Sequence, residues 1–183
     1  MSESQSTYDV VLLIEQALSQ QDVRQVRSLH EEIEGRVRYH VLLPVEDAAG
    51  RIEAGIGSLG SGEVMAAPAV TMGSEQVEEM QKELLEGCRS DVAATVSQLK
   101  GAGAEATGTT VTEDPIEALA ATVKDLGAGE AIILTRSHVV AEFFHLDWTS
   151  RARRKLGVPV LHLLEHENFD EQAGGTGEGV TGL

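Results

Sequence analysis

The chain has 183 residues, of which 42% are hydrophobic and 24% are charged. This composition is typical of a globular domain with its own core and argues against wholesale disorder. With 14 basic and 30 acidic residues, the formal net charge is −16, which argues against a nucleic-acid-binding protein and against attraction to an anionic membrane surface.

Cysteine content and hydropathy exclude further classes of protein. The one cysteine, Cys88, excludes an internal disulfide and a cysteine-rich zinc site. No apolar run is long enough to span a membrane, and the first residues lack the basic region of a signal peptide. We therefore expect a cytoplasmic protein.

Apolar strands alternate with amphipathic helices along the first half of the chain. Residues 10–14 form a short, β-branched apolar run, which is the pattern of a parallel strand covered on both faces. Asp22 is predicted to cap a helix that ends at Gly35. The apolar face of this helix carries Val23, Val26, His30 and Ile33. A second strand follows at 37–45, and the glycine-rich residues 48–73 are predicted to form an insertion or a mobile loop.

The second half of the chain continues the same alternation. Ser74 is predicted to begin a long helix that ends at Gly101, and a threonine-rich strand follows at 104–112. Asp114 and Pro115 indicate the start of the next helix, with proline at its first position. The remaining elements are a strand at 131–134, a helix at 148–156 capped by Asp147, and a last strand at 159–164.

This order of elements predicts an α/β fold with a doubly wound, mostly parallel sheet of five strands. We expect a single domain at 8–165, preceded by a disordered N-terminus at 1–7. Residues 166–183 are acidic and then glycine-rich, which predicts a flexible tail. In doubly wound sheets, ligands bind beyond the carboxyl ends of the strands, where the strand order reverses. Functional residues are therefore expected at the strand ends.

Four segments carry the motifs of a known family. Residues 111–119, VTEDPIEAL, look like the turn that opens the family's third helix, and 130–138, EAIILTRSH, are similar to its fourth strand and the following loop. Residues 159–161 match its last strand, and 11–15 lie where its first strand ends. The chain thus resembles the universal stress protein family, within the larger set of adenine-nucleotide-binding (adenine nucleotide alpha hydrolase-like) domains. The resemblance implies that fold and a role in stress response or regulation.

The ATP-binding members of this family carry Gly-x2-Gly-x9-Gly, followed by Ser or Thr, after the fourth strand. Glycine lets backbone amides approach phosphate oxygens without interference from a Cβ atom. In this chain the three glycine positions fall on Thr135, His138 and Trp148, and the hydroxyl position falls on Thr149. The resemblance therefore implies a degenerate nucleotide site that disfavours AMP and ATP, with no cofactor. The residues that would contact a nucleotide or small anion are Glu15, Val45, Thr135, Arg136, Ser137, His138, Thr149 and Ser150.

The leading hypothesis is a non-catalytic universal-stress-type protein that acts through dimerisation. The family pairs its last strand across a sheet edge, which implies a homodimer through Val160, Leu161 and Leu163. The alternative is a binding module for an adenine nucleotide or another small anion at the carboxyl ends of the strands. An enzyme on the same fold is a third and weaker class, because no catalytic constellation is visible in the sequence.

Three further patterns each have two interpretations. Four basic residues lie within five positions: Arg151, Arg153, Arg154 and Lys155. They could form an anion site with Arg136 and His138 at the N-terminus of the last helix. The favoured interpretation is a solvated basic face whose charge balances that of the acidic tail. Residues 55–60 match a dinucleotide fingerprint by letter without the flanking strand and helix. His162 and His166 have metal-ligand types, but strand alternation separates them, so no metal site is expected.

Overall fold

The computed structural model describes residues 7–45, 74–136 and 144–165, which form one sheet and four helices. The strands are β1 (Thr7–Ile14), β2 (Arg36–Pro44), β3 (Glu105–Val111), β4 (Glu130–Arg136) and β5 (Val160–Glu165). The helices are α1 (Gln20–Ser28), α2 (Ser74–Gly101), α3 (Pro115–Leu126) and α4 (Phe144–Lys155). The strand order is β3-β2-β1-β4-β5, and every neighbouring pair is parallel. The predicted five-stranded, doubly wound fold is confirmed.

The sheet is covered by two helices on each face. Because side chains alternate along a strand, Val10 and Leu12 of β1 face α1 and α2, whereas Val11 and Leu13 face α3 and α4. All of residues 10–14 are 0% exposed. The continuous apolar run that predicted a strand buried on both faces is therefore the centre of two separate cores.

Helix α1 begins earlier and ends earlier than the sequence pattern predicts. Ser19 is its N-cap, and Asp22 lies at the third helical position, where its carboxylate accepts a hydrogen bond from the Ser19 amide at 2.8 Å. The prediction of Asp22 as the cap is therefore wrong, because Ser19 and Asp22 act together as a capping box. The helix ends at Ser28, so His30 and Ile33 lie in the following turns rather than on the helical face.

Helix α4 also begins earlier than predicted. It starts at Phe144 and not after Asp147, which places Asp147 inside the first turn instead of at the cap. The strands predicted at 37–45, 104–112 and 159–164 are confirmed with shifts of one residue at their ends. The disordered N-terminus predicted at 1–7 lies outside the described residues except for Thr7, which begins β1. The insertion predicted at 48–73 and the tail predicted at 166–183 lie entirely outside them.

Gly108 allows α2 to pack closely on β3. A Cβ atom built on Gly108 would lie 2.6 Å from Cγ1 of Val92, 3.0 Å from Cγ2 of Val96 and 3.2 Å from Cβ of Val41. These neighbours are stiff, β-branched side chains in or against the core, so they cannot move aside without disturbing it. Gly87, by contrast, lies in an exposed turn of α2, and a Cβ atom built there would meet nothing within 4 Å.

We expect Gly108→Ala to lower the free energy of unfolding by about 1–3 kcal/mol, because it overpacks the α2–β3 contact. Gly87→Ala is the matched control and should raise the free energy of unfolding by about 0.5–1 kcal/mol, because alanine favours the helix. Urea denaturation of both variants measures the difference. A Gly108→Ala variant as stable as the parent chain would contradict the close packing.

Candidate functional site

The strand order reverses between β1 and β4, and the carboxyl ends of these two strands flank the site that a doubly wound sheet offers to a ligand. Glu15 follows β1 directly and is half-buried. Val45 follows β2, and its amide donates a hydrogen bond to the carbonyl of Val111 at 2.7 Å, which joins the ends of β2 and β3. Glu15 is thus the acidic group nearest in sequence to the reversal point.

The loop between β1 and α1 is held in place by polar side chains of α2. The Leu18 amide donates to Oγ1 of Thr95 at 3.0 Å, and Nε2 of Gln98 donates to the Leu18 carbonyl at 2.8 Å. Thr95 is completely buried. These contacts join residues 77 and 80 positions apart, so sequence reasoning missed them. They fix the backbone that follows Glu15.

Two hydroxyl groups predicted to contact a ligand are turned into the protein. Thr135 is 0% exposed, and its hydroxyl shares a hydrogen bond of 2.8 Å with Nε2 of His162 on β5. Thr149 is also buried, one helical turn before the buried Ala152 of α4, and its Oγ1 has no hydrogen-bond partner. The neighbouring Ser150 is exposed. The hydroxyls of Thr135 and Thr149 therefore lie inside the sheet–helix layer.

The remaining predicted contact residues are described only in part. Ser137 and His138 lie outside the described residues, and Arg136 is described through its backbone alone, as the last residue of β4. His166, the second member of the predicted histidine pair, also lies outside them. Within the ranges that the structure describes, no group of three or more His, Cys, Asp or Glu residues is arranged to hold a metal ion.

Two of the basic residues of α4 form ion pairs with acidic residues at the start of α3. Nη2 of Arg151 donates to Oδ2 of Asp114 at 2.9 Å, and Nζ of Lys155 donates to Oε1 of Glu117. Because α4 begins at Phe144, these cations lie in its second half, where their positive charge interacts favourably with the negative end of the helix dipole. Arg151 and Lys155 are thus paired with acidic residues at the start of α3, whereas the side chains of Arg136 and His138, the other members of the predicted anion site, lie outside the described residues.

Asp114 connects the two helices on this face. Its Oδ1 accepts hydrogen bonds from the amides of Ile116 and Glu117 as the N-cap of α3, while Oδ2 binds Arg151. Burial raises the pKa of Asp114, but the hydrogen bond from Arg151, the two amides and the Arg151 charge outweigh it and hold the pKa below its usual value.

A second polar cluster lies at the opposite, amino edge of the sheet. His30 is buried, with Nε2 at 2.5 Å from Oε1 of Glu130 and Nδ1 at 2.9 Å from both the Val26 carbonyl and the Tyr39 hydroxyl. Burial, against the opposing charge of Arg27, raises the pKa of Tyr39 to about 12. A cleft of about 430 Å³ opens beside this cluster. Both ring nitrogens of His30 are occupied, so the cluster joins α1, β2 and β4.

Among the described helices, none combines the length and apolar character that crossing a membrane requires.

Comparison with solved structures places the fold. The chain is similar to the hypothetical protein MJ0577, with a TM-score of 0.56 and 15% identity over 88% of this chain and 99% of the other. It also matches a universal stress protein from Archaeoglobus fulgidus (TM-score 0.48, 13% identity, 85% and 93% covered). A third match is a universal stress protein family protein from Arabidopsis thaliana with AMP bound (TM-score 0.49, 14% identity, 89% and 94% covered).

No protein-family model matches the chain, and no curated protein matches it significantly. At 15% identity, the likeness to MJ0577 shows a shared fold and nothing finer. Together with the parallel sheet of order β3-β2-β1-β4-β5, it confirms the α/β fold that the resemblance to universal stress proteins implies.

We expect Asp114→Ala to lower the free energy of unfolding by about 1 kcal/mol at neutral pH, because α3 loses its N-cap. Since the pKa of Asp114 is lowered in the folded chain, its carboxylate stabilises the fold above the usual pKa of 3.8. That contribution is lost as the pH falls through the lowered pKa. Denaturation of both chains from pH 7 into this acidic range should show the difference shrinking, and a constant difference would contradict the role of the carboxylate.

Proposed function

We propose that this chain is a non-catalytic protein of the universal-stress type, which acts in stress response or regulation through homodimerisation and carries a degenerate nucleotide site. The observation that carries the proposal is the state of Thr135. Its side chain is completely buried and its hydroxyl is already bonded to His162. A residue in this state offers a ligand neither a free hydroxyl nor the open backbone of a glycine.

Steric factors at Thr135 work against a triphosphate. A Cβ atom at this position keeps phosphate oxygens from approaching the backbone amides to the distance of about 2.9 Å that a hydrogen bond requires. The end of β4 is also held by its neighbours, because β4 pairs with β1 as far as Leu134 and with β5 at Thr135 itself. The end of β4 therefore has little freedom to open around a ligand.

Negative charge on the protein also disfavours binding of a triphosphate, by a smaller amount. Glu15 places a carboxyl group beside the point where the strand order reverses, and the whole chain carries a net charge of −16. Both disfavour a triphosphate. Salt screens the distant charges at physiological ionic strength, so the steric effect at Thr135 is the stronger one.

We expect calorimetric titration with ATP to show no binding tighter than the high-micromolar range, about −5 to −6 kcal/mol. The double variant Thr135→Gly, His138→Gly removes both side chains at the first two glycine positions of the family motif and should strengthen binding. Thr135→Val is the matched control, because it removes the hydroxyl and keeps the Cβ atom, and it should bind no better than the parent chain. A low-micromolar dissociation constant for the parent chain would overturn the degenerate site.

The proposed dimer uses the outer edge of β5. In the described sheet β5 is an edge strand, and the outer backbone groups of an edge strand are open to pairing with another chain. Val160 and Leu161 are half-buried, whereas Leu163 is 1% exposed and packs within its own core. Backbone pairing, aided by Val160 and Leu161, therefore supports the dimer better than a side-chain contact of Leu163.

Light scattering at high protein concentration should give twice the chain mass of 19.5 kDa. Val160→Lys places a charge beside the β5 edge and should shift the mass towards the monomer. Thr109→Lys is its control, because Thr109 is exposed on β3 at the opposite edge of the sheet and should leave the dimer intact. A monomer mass for the parent chain would refute dimerisation.

One observation favours the alternative of a binding module for an adenine nucleotide or small anion. The Oγ1 of Thr149 is buried without a hydrogen-bond partner, and such groups are normally satisfied by protein, water or ligand. Titration with AMP and with inorganic sulfate tests this alternative. Tight binding of either one, lost in Thr149→Val, would favour the module over the degenerate site.

A further inference from the structure

Three polar side chains form a chain of hydrogen bonds across β1, β2 and β3. Nε2 of His40 lies 2.7 Å from Oδ1 of Asp9, and Nδ1 of His40 lies 3.0 Å from Oγ1 of Thr107. His40 and Thr107 are directly opposite in the β2–β3 register. The three residues are 31 and 67 positions apart along the chain, so no local motif reveals them.

The partners of His40 decide how its protons are arranged. The carboxylate of Asp9 only accepts hydrogen bonds, so Nε2 must carry a proton and donate it to Asp9. In the neutral imidazole, Nδ1 is then the acceptor and the Thr107 hydroxyl donates to it. This is the arrangement of a hydroxyl beside a general base whose tautomer is held by a carboxylate.

A hydroxyl that reacts with a reagent in solution must be exposed, and of these three side chains Thr107 is the exposed one. The side chains of Asp9 and His40 are only 16% and 11% exposed, whereas Thr107 is exposed. Nε of Arg38 lies 3.2 Å from Oδ1 of Asp9, so an ion pair with Arg38 holds the carboxylate that orients His40. Thr107 is β-branched and lies in a strand, which restricts its side-chain rotation and keeps Oγ1 against His40.

We propose that Thr107 is a modification site that accepts small acyl groups from activated esters. Oγ of Thr107 forms a bond to the acyl carbon while the bond from that carbon to the leaving oxygen breaks. The hydroxyl proton passes to Nδ1 of His40 and from there to the leaving oxygen, which departs as the alcohol or phenol of the ester. The product is a threonine ester, and no oxidant, reductant or metal takes part.

The exposed position favours a modification over repeated turnover. Because Thr107 is exposed, the developing oxyanion is solvated by water, whereas efficient acyl-transfer enzymes hold it with fixed donors in a site that excludes water. A single acylation of Thr107 is therefore compatible with the non-catalytic role proposed above and does not depend on it.

The test uses p-nitrophenyl acetate as the acyl donor on the full chain. Intact-mass measurement should show the addition of one acetyl group, peptide mapping should place it on Thr107, and hydroxylamine should remove it, because hydroxylamine cleaves esters and spares lysine amides. Thr107→Val should abolish this ester. Thr109→Val is the matched control: Thr109 is exposed on the same face of β3, and its hydroxyl donates to the Thr110 carbonyl instead of to a histidine.

The variants of the base and its partner separate chemistry from folding. His40→Gln should slow ester formation by about 100-fold, the lower end of general-base contributions. Asp9→Asn should also slow it, and Asp9→Glu should restore part of the rate. Far-UV circular dichroism of each variant establishes that it is folded. Acetyl groups found only on lysines, or equal labelling of Thr107 in the parent chain and in folded His40→Gln, would overturn the proposal.

Discussion

The complete burial of β1 is the constraint on which the rest of the structure depends. A strand with no exposed side chain from Val10 to Ile14 must be covered on both faces. That requirement places α1 and α2 on one side and α3 and α4 on the other. It also makes β1 the central strand, with β2 and β4 as its neighbours. The reversal of strand order beside Glu15 is a direct consequence, because the chain adds strands first to one side of β1 and then to the other.

Burial does not by itself fix the loop after β1 or the positions of α3 and α4 relative to each other, and polar contacts do so. Thr95 and Gln98 of α2 bind the backbone of Leu18, and Asp114 of α3 binds Arg151 of α4. The first pair of contacts holds the loop at the reversal point, and the second joins the two helices of the opposite layer. Thr95 and Gln98 replace water at backbone groups that folding brings near the protein interior, whereas the contact between Asp114 and Arg151 lies at the surface.

The sequence predicts the fold well where one local signal dominates. The apolar runs of the central strands and the Asp114–Pro115 turn are confirmed, because burial and proline geometry act within a few residues. The start of α1 is misplaced because Ser19 and Asp22 are both good caps, and only the backbone shows that they act as a pair. His30 follows the helical spacing but serves a different contact, with Glu130 on β4, which is 100 residues away.

The candidate sites show the same limit more sharply. Thr135 is recognisable in the sequence as a departure from a glycine motif, yet its bond to His162 depends on the pairing of β4 with β5. Likewise, nothing near Thr107 in the sequence distinguishes it from Thr109, since both are exposed threonines on the same strand. The register of β2 against β3 places His40 opposite Thr107 and not Thr109. Strand register arises only when the whole sheet forms. It therefore decides that the Thr135 hydroxyl is buried and bonded to His162, and that the Thr107 hydroxyl is exposed beside His40.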